Sequence, residues 1–246
     1  MNSKYKILIF DLDDTLIDNL ENIRHAFKKM IEKQNETYTD AKFKKWYEID
    51  KKFWNDVQDR LIELPEHLKN ETGKKSKEYL DWLRGQRVLI YFNNTISFEE
   101  ANKLHYIYMK ALTEVVIPIA GAYETLKYLA SSGKYRIIIA TNGPKIATNE
   151  KLSKINCLEF VEEVLSADMF GYMKPKGEFF DAIQELLNNY NNEEFLIIGD
   201  SLKSDVGFGM NCGFDSCWFD NGTQELTADY KPTMIIKNLI ELKGKL

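Results

Sequence analysis

The chain has 246 residues, enough for one large domain or for a core with a second lobe. Hydrophobic residues make up 44% and charged residues 29%, an ordinary globular balance, and the net charge of −5 gives no general bias toward nucleic acid or an anionic membrane. No apolar run approaches the length of a membrane span, so neither a nucleic-acid polymer nor a membrane is an expected partner.

The opening Met1-Asn2-Ser3-Lys4 leads straight into an apolar run, so no secretion signal is expected. Cys157, Cys212 and Cys217 are odd in number and form no Cys-x-x-Cys pair. They are expected as buried free thiols in a reducing compartment, with the cytoplasm as the default location.

The first predicted strand is Lys6-Ile7-Leu8-Ile9-Phe10, an apolar run that reads as a buried strand of a parallel sheet. It ends in Asp11, Asp13 and Asp14, three carboxylates within four positions. Open α/β sheets put their sites at this C-terminal edge. An extended backbone would turn Asp11 and Asp13 to the same side, roughly 6.6 Å apart along the chain. The plainer use of these acids is to cap the helix beginning near Asn19, but one Asp serves that purpose and three are present. A cation, or a phosphate with its metal, accounts for the rest.

From Asn19 to Val116 the pattern is helix after helix. Ile23, Ala26, Phe27, Met30 and Ile31 fall on one helical face. Phe43, Trp46, Tyr47, Phe53, Trp54, Val57 and Leu61 form an aromatic-rich second face, and Phe98, Ala101, His105, Tyr108, Leu112 and Val115 a third. Packing is the expected use of these aromatics, with base stacking by Phe53, Trp54 or Tyr108 the alternative. Glu63 to Gly85, rich in Lys and Glu, reads as solvated surface. His25, His67 and His105 all fall in helical stretches, which argues against a His relay or a multi-His zinc site.

After Pro118 strands and helices alternate. Predicted helices cover Ala122–Ser131, Lys145–Ile155, Glu178–Asn188 and about Lys203–Asn211. Predicted strands cover Tyr135–Ala140, Glu163–Ser166, Phe195–Ile198, Ser216–Phe219 and Thr233–Ile236. Such alternation predicts an α/β fold: a Rossmann-like parallel sheet with helices on both faces. The helical block is then an insertion. The expected domains are 1–18 with 118–246 for the core and 19–117 for an all-helical cap. That cap is expected to act as a lid, hinged near Asp18 and Pro118.

Three more stretches fall at strand ends or helix starts. Thr141-Asn142-Gly143 offers a hydroxyl and turning N–H groups suited to phosphate, though Asn-Gly is also simply a turn. Lys174, before Pro175, reads by position alone as an ordinary solvated lysine. Gly199-Asp200-Ser201 ends a second buried strand in an acid, with Asp205 about one helical turn later. Capping is the plain use of Asp200 or Ser201.

Taken in order, Asp11-x-Asp13-x-Thr15, Thr141, Lys174 and Gly199-Asp200-x-x-x-Asp205 resemble the four motifs of the haloacid dehalogenase (HAD) superfamily. The helical block resembles its C1-type cap. The resemblance implies that Asp11 is a nucleophile taking a phosphoryl group and that Asp13 is the general acid and base. It further implies that Thr141 and Asn142 bind phosphoryl oxygens and that Lys174 neutralises charge. Mg²⁺ would be held by Asp11, the Asp13 backbone carbonyl and Asp200, with Thr15 and Asp205 in support. Asp13 points to a phosphatase, because the family's dehalogenases expel a halide that needs no proton. Core strings such as Ala140-Thr141-Asn142-Gly143 and Gly213-Phe214-Asp215-Ser216-Cys217-Trp218 resemble the bacterial pyrimidine 5′-nucleotidase branch most. The expected partner is a small phosphate monoester, with nucleoside 5′-monophosphates first. Sugar phosphates, phosphoglycolate or a β-phosphoglucomutase-like transfer are the alternatives.

Overall fold

The structure is a computed structural model that describes residues 4–69, 76–187 and 190–246. Met1 to Ser3, part of the Lys- and Glu-rich stretch from Glu63 to Gly85, and the expected helix end at Asn188 lie outside the described residues. The chain forms two compact units, one of Met1–Asn19 and Val116–Leu246 and one of Leu20–Val115.

In chain order, β1 (Ile7–Phe10) and the short β2 (Ile17–Asp18) precede α1 (Asn19–Glu32), α2 (Asp40–Gln58), α3 (Glu66–Lys69), α4 (Lys77–Tyr91) and α5 (Phe98–Ala111). After β3 (Ile117–Pro118) come α6 (Ala122–Ser131), β4 (Arg136–Thr141), α7 (Lys145–Lys154), β5 (Glu163–Ser166), α8 (Ala167–Phe170) and α9 (Gly177–Leu187). The chain then runs through β6 (Phe195–Gly199), a single π-helical turn at Leu202–Val206, α10 (Gly207–Cys212), β7 (Asp215–Phe219), β8 (Met234–Ile236) and α11 (Leu242–Lys245).

In the first unit six strands form a sheet in the order β5-β4-β1-β6-β7-β8, with every pairing parallel. β1 is central, so its residues must be apolar on both faces, and they are. Leu8 and Phe10 pack on one side with Leu126 and Leu129 of α6 and Leu242 of α11. Ile7 and Ile9 pack on the other with Phe179 and Ile183 of α9 and Phe208 of α10. Two helix-covered faces are the arrangement the alternation predicts. β2 and β3 pair antiparallel, Ile17 with Pro118, as a two-stranded ribbon where the chain leaves and re-enters this unit. The segments that carry the expected hinges thus pair with each other, Asp18 facing Ile117 and Pro118 facing Ile17.

The second unit is helical. Hydroxyl caps start three of its helices: Thr39, Ser76 and Ser97 accept from the N–H of Lys42, Tyr79 and Glu100. Its core joins Phe27, Phe43, Trp46, Leu104 and Tyr108. Tyr108 and Phe53 are buried, as packing requires. Leu61 departs from its expected place on the aromatic face: α2 ends at Gln58, and Leu61 is 69% exposed. Cys212 also departs from expectation, being only partly buried, whereas Cys157 and Cys217 are buried thiols.

Candidate active site

The acids after β1 divide their duties. Asp14 takes φ of +65° and its Oδ1 accepts from the N–H of Asn19 at 3.1 Å, so Asp14 caps α1. Asp11 and Asp13 are left for other partners. The extended backbone stops at Phe10, and the two carboxylates find different lysines. Asp11 Oδ1 accepts from Lys174 Nζ at 2.7 Å, and Asp13 Oδ1 from Lys151 Nζ at 2.7 Å. The Asp11 N–H donates to the carbonyl of Ile198, which ties the carboxylate-bearing turn to β6.

The same division occurs after β6. Ser201 accepts from the N–H of Ser204 and caps the turn that follows, which frees Asp200. Asp205 turns back: its Oδ2 accepts from the N–H of Ser201 at 3.0 Å and its Oδ1 from Lys174 Nζ at 2.6 Å. Gly199 makes room for this. A Cβ there would stand 2.1 Å from Asp205 Oδ2, so any side chain would collide with the carboxylate. The need at Gly199 is therefore close approach.

Lys174 corrects the expectation from position alone. It is 1% exposed, and its ammonium bridges Asp11 and Asp205. Asn142 holds the backbone that delivers it: Asn142 Oδ1 accepts from the Lys174 N–H at 2.8 Å, and Asn142 Nδ2 donates to the Lys174 carbonyl at 3.2 Å. Thr141 Oγ1 accepts from the N–H of Gly143 at 2.9 Å and shapes the turn. Thr15 is buried against Asp200, donating to its Oδ1 at 3.2 Å and accepting from its N–H at 3.0 Å.

Carboxylate oxygens of Asp11, Asp200 and Asp205 lie within 4.8 Å of one another. Three acids around one ammonium leave an excess of negative charge in a buried place. Burial first, and the charges of Asp11, Asp205 and Asp14 after it, push the Asp200 carboxyl up to about 8. Asp11 rises to about 7, again chiefly through burial, with Asp205 and Asp13 adding to the rise and Lys174 opposing it. Burial disfavours the Lys174 ammonium, but the two carboxylates outweigh it and hold the proton on. A divalent cation fits this donor set, all oxygen and short of positive charge. Both Asp205 oxygens accept short bonds, from Lys174 and Ser201, whereas Asp200 accepts longer ones, 3.2 Å from Thr15 and 3.4 Å from Asn221, which favours Asp11 and Asp200 as the carboxylates that would meet an ion.

Several neighbours are not evident from the sequence. Lys151 pairs with Asp13. Asn221 Nδ2 lies 3.4 Å from Asp200 Oδ2 and 3.3 Å from the carbonyl of Asp14. Trp218 Nε1 donates to the carbonyl of Asp200 at 2.7 Å. Lys151 and Asn221 sit in no motif, Trp218 ends the string from Gly213 to Trp218 without any sign of this contact, and the helical position of Lys151 carries no signal of burial.

Comparison with known proteins gives the family and the fold. A family model described as haloacid dehalogenase-like hydrolase matches residues 5–213. The chain is 24% identical over 242 residues to the pyrimidine 5′-nucleotidase YjjG of Escherichia coli, covering 98% of this chain and 97% of that one. It is 28% identical over 233 residues to a glyceraldehyde 3-phosphate phosphatase of Pyrococcus furiosus, covering 93% and 86%. A crystal structure of the HAD-hydrolase YfnB from Bacillus subtilis, bound to magnesium, is similar with a TM-score of 0.83 at 23% identity over 99% of both chains. At that identity the likeness carries the fold.

Proposed function

The chain belongs to the haloacid dehalogenase-like hydrolases, and from that premise we propose that it hydrolyses small phosphate monoesters through an aspartyl-phosphate on Asp11. The observation that carries this reading is the Asp11 carboxylate at the end of the central strand, paired at 2.7 Å with a buried lysine and grouped with Asp200 and Asp205. Phosphoryl transfer needs positioning and charge neutralisation more than covalent ingenuity. A nucleophile, a fixed ammonium and a turn of N–H groups at Thr141–Gly143 supply both.

In the first step Asp11 attacks phosphorus, the bond to the ester oxygen breaks, and Asp13 gives that oxygen its proton. In the second step water attacks the aspartyl-phosphate, Asp13 takes the proton from water, and Asp11 is released with inorganic phosphate. Lys174 holds charge on Asp11 and the phosphoryl group. Asp11, Asp200 and the Asp13 backbone carbonyl would hold Mg²⁺, which supplies further neutralisation of the phosphoryl oxygens when bound. The helical unit is proposed to choose the ester's organic group. Nucleoside 5′-monophosphates are the first class to test, supported by the relative named a pyrimidine 5′-nucleotidase.

The test is phosphate release, with Mg²⁺, from nucleoside monophosphates, sugar phosphates and phosphoglycolate, run beside Asp11→Asn. Release by the native protein and none by the variant supports the nucleophile. Release from sugar phosphates but not from any nucleotide discards the nucleotidase reading alone. No release from any ester discards the phosphatase reading.

A further inference from the structure

Lys151 is a second buried lysine at the candidate site, and the proposed chemistry has not used it. It lies on α7 with only 4% of its surface exposed. Its Nζ stands 2.7 Å from Asp13 Oδ1 and 3.4 Å from Asn19 Oδ1. An ammonium on a solvent-facing helix side is hydrated at no cost, whereas one buried in the protein has to recover that hydration from fixed partners. Here the partners are the carboxylate proposed as acid and base and the amide that begins α1.

The contact is one-sided. Lys151 occupies Oδ1 of Asp13. The other oxygen, Oδ2, faces Gly143 and would lie 3.8 Å from a Cβ at that position. Gly143 belongs to the turn that Thr141 Oγ1 shapes, and that turn is the one proposed to receive the phosphoryl oxygens. Occupying one oxygen therefore leaves the other turned toward the place where the ester would react.

We propose that Lys151 is a positioning residue for Asp13: it fixes the carboxyl so that Oδ2 exchanges protons with the leaving oxygen and then with water. This rests on the phosphatase reading above. In the step concerned, the Oδ2–H proton passes to the ester oxygen as its bond to phosphorus breaks and the bond from Asp11 to phosphorus forms. The negative charge left on Asp13 then faces the Lys151 ammonium.

The test compares two esters. An alkyl phosphate needs its leaving oxygen protonated, whereas p-nitrophenyl phosphate expels a stable phenolate without help. Lys151→Met is expected to lower kcat/KM for the alkyl ester by about 30-fold, a part of the roughly 10²–10⁴-fold that a general acid contributes, and for p-nitrophenyl phosphate by less than about threefold. On an Asp13→Asn background the same substitution should change kcat/KM by no more than about twofold, because it acts only through Asp13. Equal losses on both esters would overturn the proposal, and so would a further loss on the Asp13→Asn background. If Lys151→Met does not fold, Lys151→Gln is read by the same two criteria. A native protein that cleaves neither ester removes the phosphatase reading and this proposal with it. A native protein that cleaves both, with Lys151→Met indistinguishable from it, removes this proposal alone.

Discussion

Each unit of the molecule buries charge, and the two do so differently. In the helical unit Arg87 and Asp50 form one buried pair, with the Arg87 guanidinium 4.9 Å from the ring centroids of Trp46 and Tyr108 and 5.6 Å from that of Trp54. One positive group meets one negative group, and aromatic faces complete the cation's surroundings. His105, buried in the same unit, is pushed down to about 2 by burial first and then by Arg87, Arg84 and Lys77, so it adds no charge. In the sheet unit Asp11 and Asp205 share Lys174, and Asp200 is grouped with them. A buried pair whose charges cancel leaves no net charge for a proton or an ion to neutralise. A buried cluster short of positive charge is stable only if protons or a cation make up the difference. The second kind marks a site.

The largest expected effect is on the unbalanced cluster. Asp11→Asn should lower kcat by about 10⁴-fold, the scale on which single catalytic groups act, with circular dichroism unchanged. Arg87→Met tests the other side. It strands Asp50 without a partner and should cost about 3–5 kcal/mol in chemical denaturation, while leaving the stabilisation by Mg²⁺ intact. Loss of the Mg²⁺ response in Arg87→Met would erase the distinction between the two clusters.

A pH series sharpens it further. Asp11 and Asp200 titrate near 7 and 8 in the folded chain, against about 4 when unfolded. Folding raises these values, so between those limits the unfolded state binds fewer protons. Their contribution is then fully present below about pH 4, falls as pH rises from about 4, and is gone once pH has passed through 7 to 8. Metal-free protein should therefore lose Tm over that interval, and the gain in Tm on adding Mg²⁺ should be larger at pH 8 than at pH 5. An equal gain at both values would show that the ion does not answer this charge excess. The smallest effect expected is that of Thr15→Val, which removes the hydroxyl bonded to Asp200. It should cost about 1–2 kcal/mol and weaken the Mg²⁺ response.

Much of the site was legible because acids at the ends of buried strands have few ordinary uses. Asp14 and Ser201 perform the capping that could have explained all of them, and so leave Asp11, Asp13 and Asp200 without a structural excuse. The parallel sheet was legible for a related reason. A strand covered on both faces, such as Ile7–Phe10, has to be apolar at every position. Leu61 shows the limit of periodicity: it fits the α2 stripe, but the helix has already ended.

Sequence by itself determined which strands are buried and which acids stand at their ends, because burial constrains composition locally. Tertiary structure decided which cation serves which acid. Asp11 and Lys174 are 163 residues apart in the chain, and Asp13 and Lys151 are 138 apart. A lysine is written the same way whether it is solvated or enclosed. Its hydration is lost only when distant elements close around it, and that loss is what turns Lys174 and Lys151 from surface charge into parts of the candidate site.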